Sequence, residues 1–502
     1  MSALTEAIAR SFTTREKQPP ARSPLRALGR RQLSGAEVLA QSVATTAPAV
    51  SMVVLPVTML THGHLLSGMI TIIIATVLVT LIAFCISQFT RRMAASGGLH
   101  SFAFRGLGTR AAITTGIAIL VKYVGSAVMT LYHGGLAVIT LLGFAGIRVH
   151  GTFQLIVLYT VLAALILACL LRSVRFAALA ILVAESCSLL FIVALMLIGG
   201  DQHAQIIPST SGHGLLITAL AALFALAGFE SAAFFGPEAR RPLTTVSRAV
   251  LVTPVVCGSV FVFAAWAALT GRADAVVAAY FDGTASEVSL AMVLAVKVGV
   301  TCSWLACTLG CAQAGSRLLL AMGVEGTAPR SLSRVHPRLR TPYVAVASFL
   351  LAGVAGAWAY LRFFVQDSTA FDGFVEVALV IAYTLLAVSC LRFLRRIGED
   401  SPSTTAVSVG MVAAGASLLG YLVVDGVARG QWVLPVAVLL IGASGTAWAA
   451  ALARLRPHSL TTMGAFDSVE TADLLPGSGT LILDDAGRPR LVSAHAGPGP
   501  RE

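Results

Sequence analysis

The chain has 502 residues, of which 57% are hydrophobic and only 12% charged, and its mean hydropathy is +0.85. A soluble domain carries roughly 25% charged residues, so this composition excludes an ordinary soluble enzyme or binding module and points to lipid-embedded helices. The net charge of +12 would suit a nucleic-acid partner, but the basic residues close off apolar runs instead of clustering, which is a membrane pattern and excludes nucleic acid.

Residues 1–33 hold Arg10, Arg15, Lys17, Arg22, Arg26, Arg30 and Arg31 with no apolar core, so a disordered basic cytoplasmic tail is expected there. From Val38 to Thr90 there is no Asp, Glu, Lys or Arg. That run is too long for one crossing of about 20 residues, and His62-Gly63-His64 divides it into spans near 38–61 and 65–90. The first span contains Ala47-Pro48-Ala49. Proline removes an amide donor and clashes with the preceding turn, a break tolerated in lipid where the backbone lines a cavity or is buried in protein.

Arg91 and Arg92 close the second span, and Gly97 to Arg110 reads as a cytoplasmic surface helix. A third span follows from Ala111 to about Leu142, interrupted by Lys122, a fourth near 152–171, and a fifth from Phe176 to Ile198 with Glu185 inside. After a polar loop from Asp201 to Gly214 comes the sixth, ALFALAGFESAAFFGPEARRP, where Gly228, Phe229 and Glu230 place a glycine and a carboxylate inside an apolar run. A carboxylate there is costly and marks a functional site by default, and a glycine lets the backbone leave the helix.

The seventh span lies near 249–270 and the eighth from Val288 to Met322 with Lys297 inside; 272–287 is a mixed loop. The ninth to twelfth lie near 343–364, 372–391, 405–424 and 432–453. Residues 456–502 form a polar C-terminal tail, expected to be mostly disordered, although LILDDAGRPRLV carries a hairpin signal at Asp485-Ala486-Gly487. The eight cysteines all lie in apolar runs and read as small core residues, with no zinc spacing among Cys302, Cys307 and Cys311. No cofactor or metal is implied.

With the N-terminus inside, only Arg148, Arg272, Arg362 and Arg429 face outward, while nineteen arginines from Arg91 to Arg456 face inward. This predicts an all-α polytopic protein of about twelve helices with both termini cytoplasmic. Its lipid-facing surfaces permit a monomer or a homodimer.

Three motifs resemble the amino acid–polyamine–organocation transporter superfamily over about residues 34–455. One is Phe224, Gly228-Phe229-Glu230, Glu238-Ala239 and Pro242 in the sixth span. The second is Ser316-Arg317, Ala321-Met322, Gly326 and Pro329, with His336-Pro337 and Thr341-Pro342. The third is Gly97-Gly98 with Gly108. The resemblance implies two inverted repeats of five helices, with spans one and six broken at the substrate site. Paired interruptions at Pro48 and Gly228 are where a transporter site belongs. Where relatives carry a glycine-rich motif, this chain has Thr45 to Ser51; where many proton-coupled relatives carry a fifth-span lysine, it has Glu185.

The expected function is a secondary active transporter of the inner membrane, moving an amino acid or small organic amine by alternating access, as symporter or antiporter, with protons or sodium as candidate ions. The rivals are a polytopic membrane enzyme, for which no clustered acids or histidines are visible, and a non-transporting sensor on the same fold. At the first break, amides around Val50 to Met52 favour a carboxylate and carbonyls around Thr45 to Ala47 an ammonium. The candidate substrate site is therefore Thr46, Ala47, Pro48, Ala49, Val50 and Ser51 facing Ala227, Gly228, Phe229 and Ser231. The plain alternatives are a proline kink and a glycine-packed bend. By resemblance, Phe224 is an aromatic gate and Glu230 binds backbone freed by the break. Glu185 is the candidate coupling carboxylate, against a permanent pairing with Lys122 or a bond to helix backbone, in either of which it never titrates. Lys122 alternatively snorkels, and Tyr123 and Ser316 offer hydroxyls.

Overall fold

The computed structural model describes residues 28, 32–62, 65–149, 151–198, 214–281, 288–364, 369–428, 430, 432–461, 463–464, 479–483 and 489–493. Among the described residues, twelve helical segments are long and apolar enough to cross a membrane. Span one consists of α1 (Gly35–Ala44) and α2 (Pro48–Thr61), and span two is α3 (Leu65–Thr90). A short α4 (Leu99–Leu107) precedes α5 (Thr109–Phe144), α6 (Thr152–Arg172) and α7 (Val174–Ile198), which are spans three to five.

Span six joins α8 (Gly214–Leu226) to a 3-10 segment, Phe229–Glu238, and α9 (Pro242–Leu269) is span seven. The mixed loop beyond it contains α10 (Asp274–Tyr280). Then come α11 (Leu290–Val324), a 3-10 turn at Arg330–Ser333, α12 (Tyr343–Phe363), α13 (Thr369–Ile397), α14 (Pro402–Ala428), α15 (Val433–Leu455) and the short α16 (Pro457–Thr461).

The helices are apolar on every side because both lipid and protein neighbours are apolar. The two longest, α5 and α11, have 36 and 35 residues and lie against each other. At 1.5 Å per residue each exceeds the roughly 30 Å hydrocarbon core, so both project beyond it. Large aliphatic and aromatic side chains such as Phe153, Leu190, Leu351 and Leu439 remain exposed on the outside of the bundle, the surface lipid would cover.

One expectation is corrected. The segment from Gly97 to Arg110 is not a surface helix: α4 buries Leu99, His100, Ser101, Phe102 and Ala103, and Phe102 stacks on Phe89 at 5.0 Å. Its polar members find partners inside, where His100 lies between the Ala112 carbonyl and Glu325, both at 2.8 Å. In the C-terminal tail, β1 (Gly479–Leu483) pairs antiparallel with β2 (Pro489–Ser493), with Leu481 opposite Leu491, where the sequence carries its hairpin signal; the other residues after Gly464 lie outside the described residues. The N-terminal tail before residue 28 and the polar loop at 199–213 lie outside the described residues.

Candidate functional site

The first span is interrupted for a local reason. Proline disfavours right-handed helical geometry in the residue before it, and Ala47 takes φ 44° and ψ 57°. Pro48 then starts α2, where its missing amide costs nothing because first-turn amides have no intrahelical acceptor. The next two amides find side chains: Ala49 N–H donates to Glu185 Oε1 at 3.0 Å and Val50 N–H to Ser303 Oγ at 3.4 Å. Ser51 N–H returns to the Ala47 carbonyl at 3.0 Å. The carbonyls on the other side have weak donors, the Cys307 thiol at 3.5 Å from Thr45 O and the Ser51 hydroxyl at 3.2 Å from Thr46 O.

The sixth span changes direction at Gly228, whose φ of 130° side chains rarely adopt. A Cβ there would run into the Thr45 carbonyl. The two interruptions therefore touch. Thr45 Oγ1 donates to the Gly228 carbonyl at 2.7 Å and contacts Ser231 Oγ at 2.8 Å, and Ser42 Oγ donates to the Phe229 carbonyl at 2.6 Å. Hydroxyls at the end of α1 thus reach carbonyls at the interruption of the sixth span, where the Gly228 carbonyl also accepts from Ser231 N–H at 2.8 Å. Gln41 ties α1 to the Gly310 carbonyl of α11 at 2.8 Å.

Glu230 is the hub on the other side of the break. Its Oε2 accepts from Gly228 N–H at 2.8 Å and the Tyr383 hydroxyl at 2.8 Å; its Oε1 accepts from the Tyr123 hydroxyl at 3.0 Å and Lys122 Nζ at 3.4 Å. Lys122 is itself buried, so it pairs instead of snorkelling, and its partner is Glu230 rather than Glu185. A buried carboxylate with four donors and a counter-charge is held in place on every side.

The remaining candidates divide. Thr46 through Ser51 and Ala227 through Ser231 are all buried around the two interruptions, whereas Phe224, in the last turn of α8, is half-buried. Ser316 bonds its own helix at Gln313 O, 3.0 Å, and Lys297 reaches Tyr280 O at 2.7 Å. A cavity of ≈ 370 Å³ lies apart from the breaks, lined by Leu120, Val124, Leu319, Phe349 and neighbours. Reasoning from sequence overlooked Tyr383 and Ser303. Each is a hydroxyl inside an apolar run, and only the carboxylate it faces distinguishes it from other polar residues in spans.

The chain is similar to known transport proteins. The family model for Amino acid permease matches residues 37–425. The Branched-chain amino acid permease BcaP of Bacillus subtilis is 25% identical over 359 residues, covering 66% of this chain and 74% of that protein. The Methylthioribose transporter of the same organism is 26% identical over 313 residues, 57% of this chain and 66% of that protein. The Low-affinity putrescine importer PlaP of Escherichia coli K12 is 26% identical over 200 residues, 38% of this chain and 40% of that protein.

Proposed function

The chain belongs to the amino acid permease family, and from that premise we propose that it carries an amino acid or a related small organic amine across the cell's inner membrane by alternating access. It is a multi-pass membrane transporter and not an enzyme, as its family and named relatives are. Neither a polytopic enzyme nor a non-transporting sensor is favoured by those relatives. The substrate is held where spans one and six are interrupted, with Phe224 closing over it, and transport is driven by a proton or sodium gradient or by exchange.

The observation that supports this placement is the bond from Thr45 to the Gly228 carbonyl at 2.7 Å, which brings the two interruptions into contact inside the bundle. Non-helical backbone at membrane depth is tolerated where it is buried in protein or lines a cavity, and opposed half-helix ends supply both signs of partial charge to a small polar solute.

The test is uptake of radiolabelled amino acids and amines into proteoliposomes under imposed proton or sodium gradients. Saturable accumulation of at least one solute above protein-free vesicles is expected. No uptake and no exchange under any gradient would remove the transport reading of this site.

A further inference from the structure

Two buried carboxylates flank the interrupted spans, and they are served very differently. Glu230 has four donors and the Lys122 charge. Glu185, 3% exposed, uses only one oxygen: Oε1 accepts from Ala49 N–H at 3.0 Å and from Ser303 Oγ at 2.9 Å. Among the described residues its Oε2, which is buried, has no hydrogen-bond partner, and no basic side chain pairs with Glu185. An unserved buried acceptor is costly, and an unpaired buried charge more so, so this oxygen is set aside for something that the folded chain does not itself supply.

The surroundings of the carboxylate decide what the something is. The start of α2, a helix of 14 residues, would ordinarily attract an anion from a ligand, since its first amides have no helical acceptor and its dipole is positive there. Here the chain fills that role from within. Glu185 reaches in from α7 and takes the Ala49 amide, while Ser303, on α11, receives the Val50 amide and donates to the same carboxylate oxygen. The helix start has been converted from an anion receptor into a support for an anion. Next to it, the Thr45 and Thr46 carbonyls meet only a thiol and a hydroxyl, and each carbonyl keeps a lone pair. The local chemistry suits a group with several N–H donors and a positive charge.

We propose that Glu185 Oε2 is the receptor for the ammonium group of the transported solute, and that the solute needs no carboxylate. The substrate class is then an amine rather than an amino acid. This rests on the transport reading above and narrows it.

Matched pairs that differ only in the carboxylate test the idea: leucine against 3-methylbutylamine, and ornithine against 1,4-diaminobutane. Ligand-induced shifts of the melting temperature are measured on the purified full-length protein, and uptake is measured in proteoliposomes. The amine of at least one pair should bind at least tenfold more tightly than its amino acid. Glu185→Gln, which keeps an oxygen for Ala49 but presents an amide to the ligand, should lose that binding at least tenfold while its unliganded melting temperature stays near wild type. Glu185→Asp should keep the amine preference at reduced affinity. Glu185→Ala frees the Ala49 amide and should shift preference toward the amino acid.

Preference of the wild type for the amino acid in both pairs would overturn the proposal and leave the transport reading standing. Absence of binding by every pair member would also overturn it. Amine binding without uptake would support it and count against transport instead. A Glu185→Gln variant with unchanged amine affinity but no gradient-driven accumulation would overturn it too, and would assign Glu185 to the coupling proton.

Discussion

Glu238 and Arg317 face each other in a two-pronged ion pair, Nε to Oε1 at 2.6 Å and Nη2 to Oε2 at 3.0 Å, with both residues 2% exposed. The third guanidinium nitrogen, Nη1, donates to the Gln313 carbonyl at 2.9 Å, and the group lies 4.1 Å from the Phe235 ring centroid. Glu238 ends the 3-10 segment of span six and Arg317 lies in the last part of α11. The chain entering span one is bound into the same place, since Leu33 exchanges backbone bonds with Glu238 and Arg240. The buried fork therefore joins spans six and eight, and the Leu33 backbone bonds bring the start of span one to the same place.

Removing one partner from a buried pair leaves an uncompensated charge, at a cost of about 3–5 kcal/mol. Arg317→Met should accordingly lower thermal stability in detergent more than Arg317→Met combined with Glu238→Gln, which leaves no stranded charge. Arg317→Lys keeps the charge but not the planar fork and should fall between wild type and Arg317→Met. Melting curves of the four proteins decide this, and equal loss in the single and double variants would mean that the pair is not coupled.

The same logic applies at the site. Lys122→Met strands Glu230, which is 0% exposed, whereas Tyr383→Phe removes one donor of four. A hydrogen bond to a charged group contributes about 1.5–3 kcal/mol, so Tyr383→Phe should be tolerated and Lys122→Met should not. Adding Glu230→Gln to Lys122→Met should recover part of the stability but not of the uptake, because Gln cannot serve Gly228 N–H, Tyr123 and Tyr383 as a carboxylate does. Full recovery of uptake would show that the charge at Glu230 has no part in transport.

Gly228 offers a cleaner separation of folding from function. Its φ is 130°, and a Cβ would overlap the Thr45 carbonyl. Gly228→Val should therefore push spans one and six apart where they touch. Because the helices on either side are unaffected in length and hydropathy, membrane insertion should survive. Immunoblots of membrane fractions should show near-normal levels while uptake falls at least tenfold. Wild-type uptake in this variant would remove the interruptions from the substrate path.

What the sequence made legible follows from cost. Charge-free runs closed by arginine define spans, and Pro48 and Gly228 locate the two places where a helix cannot continue. Glu185 and Glu230 were conspicuous because a carboxylate in lipid needs a reason. Their assignments were not legible, because the choice between them as the partner of Lys122 is made across 108 residues by the packing of α5 against the sixth span. Tyr383 and Ser303 were hidden for the same reason. The burial of α4 was misread because a short segment of mixed polarity does not reveal whether its polar groups meet water or protein. The pairing of residues 479–483 with 489–493 was signalled in the sequence between them, because hairpin register is set locally.

Leu33 before span one bonds to residues after span six, and Arg92, after span two, meets Glu399, before span eleven, at 2.6 Å. His100, between spans two and three, meets Glu325 after span eight, and Glu325 accepts from Gly464 N–H at 3.1 Å beyond span twelve. These contacts gather the chain just before span one, the chain just after span twelve and the connections after spans two, six, eight and ten on one face. Arg91, Arg240, Arg330, Arg395 and Arg454 belong to that face as well, whereas the opposite connections carry only Arg148, Arg272, Arg362 and Arg429. Arginine excess marks the cytoplasmic side, so both termini should be inside. In a background with the native cysteines replaced, Ala145→Cys and Ser289→Cys should react with a membrane-impermeant maleimide in intact cells. Ser331→Cys and Ser403→Cys, on exposed positions of the arginine face, should react only after the membrane is opened. Labelling of Ser331→Cys from outside, with Ala145→Cys protected, would invert the topology and with it the direction in which Phe224 and the Glu238–Arg317 fork face.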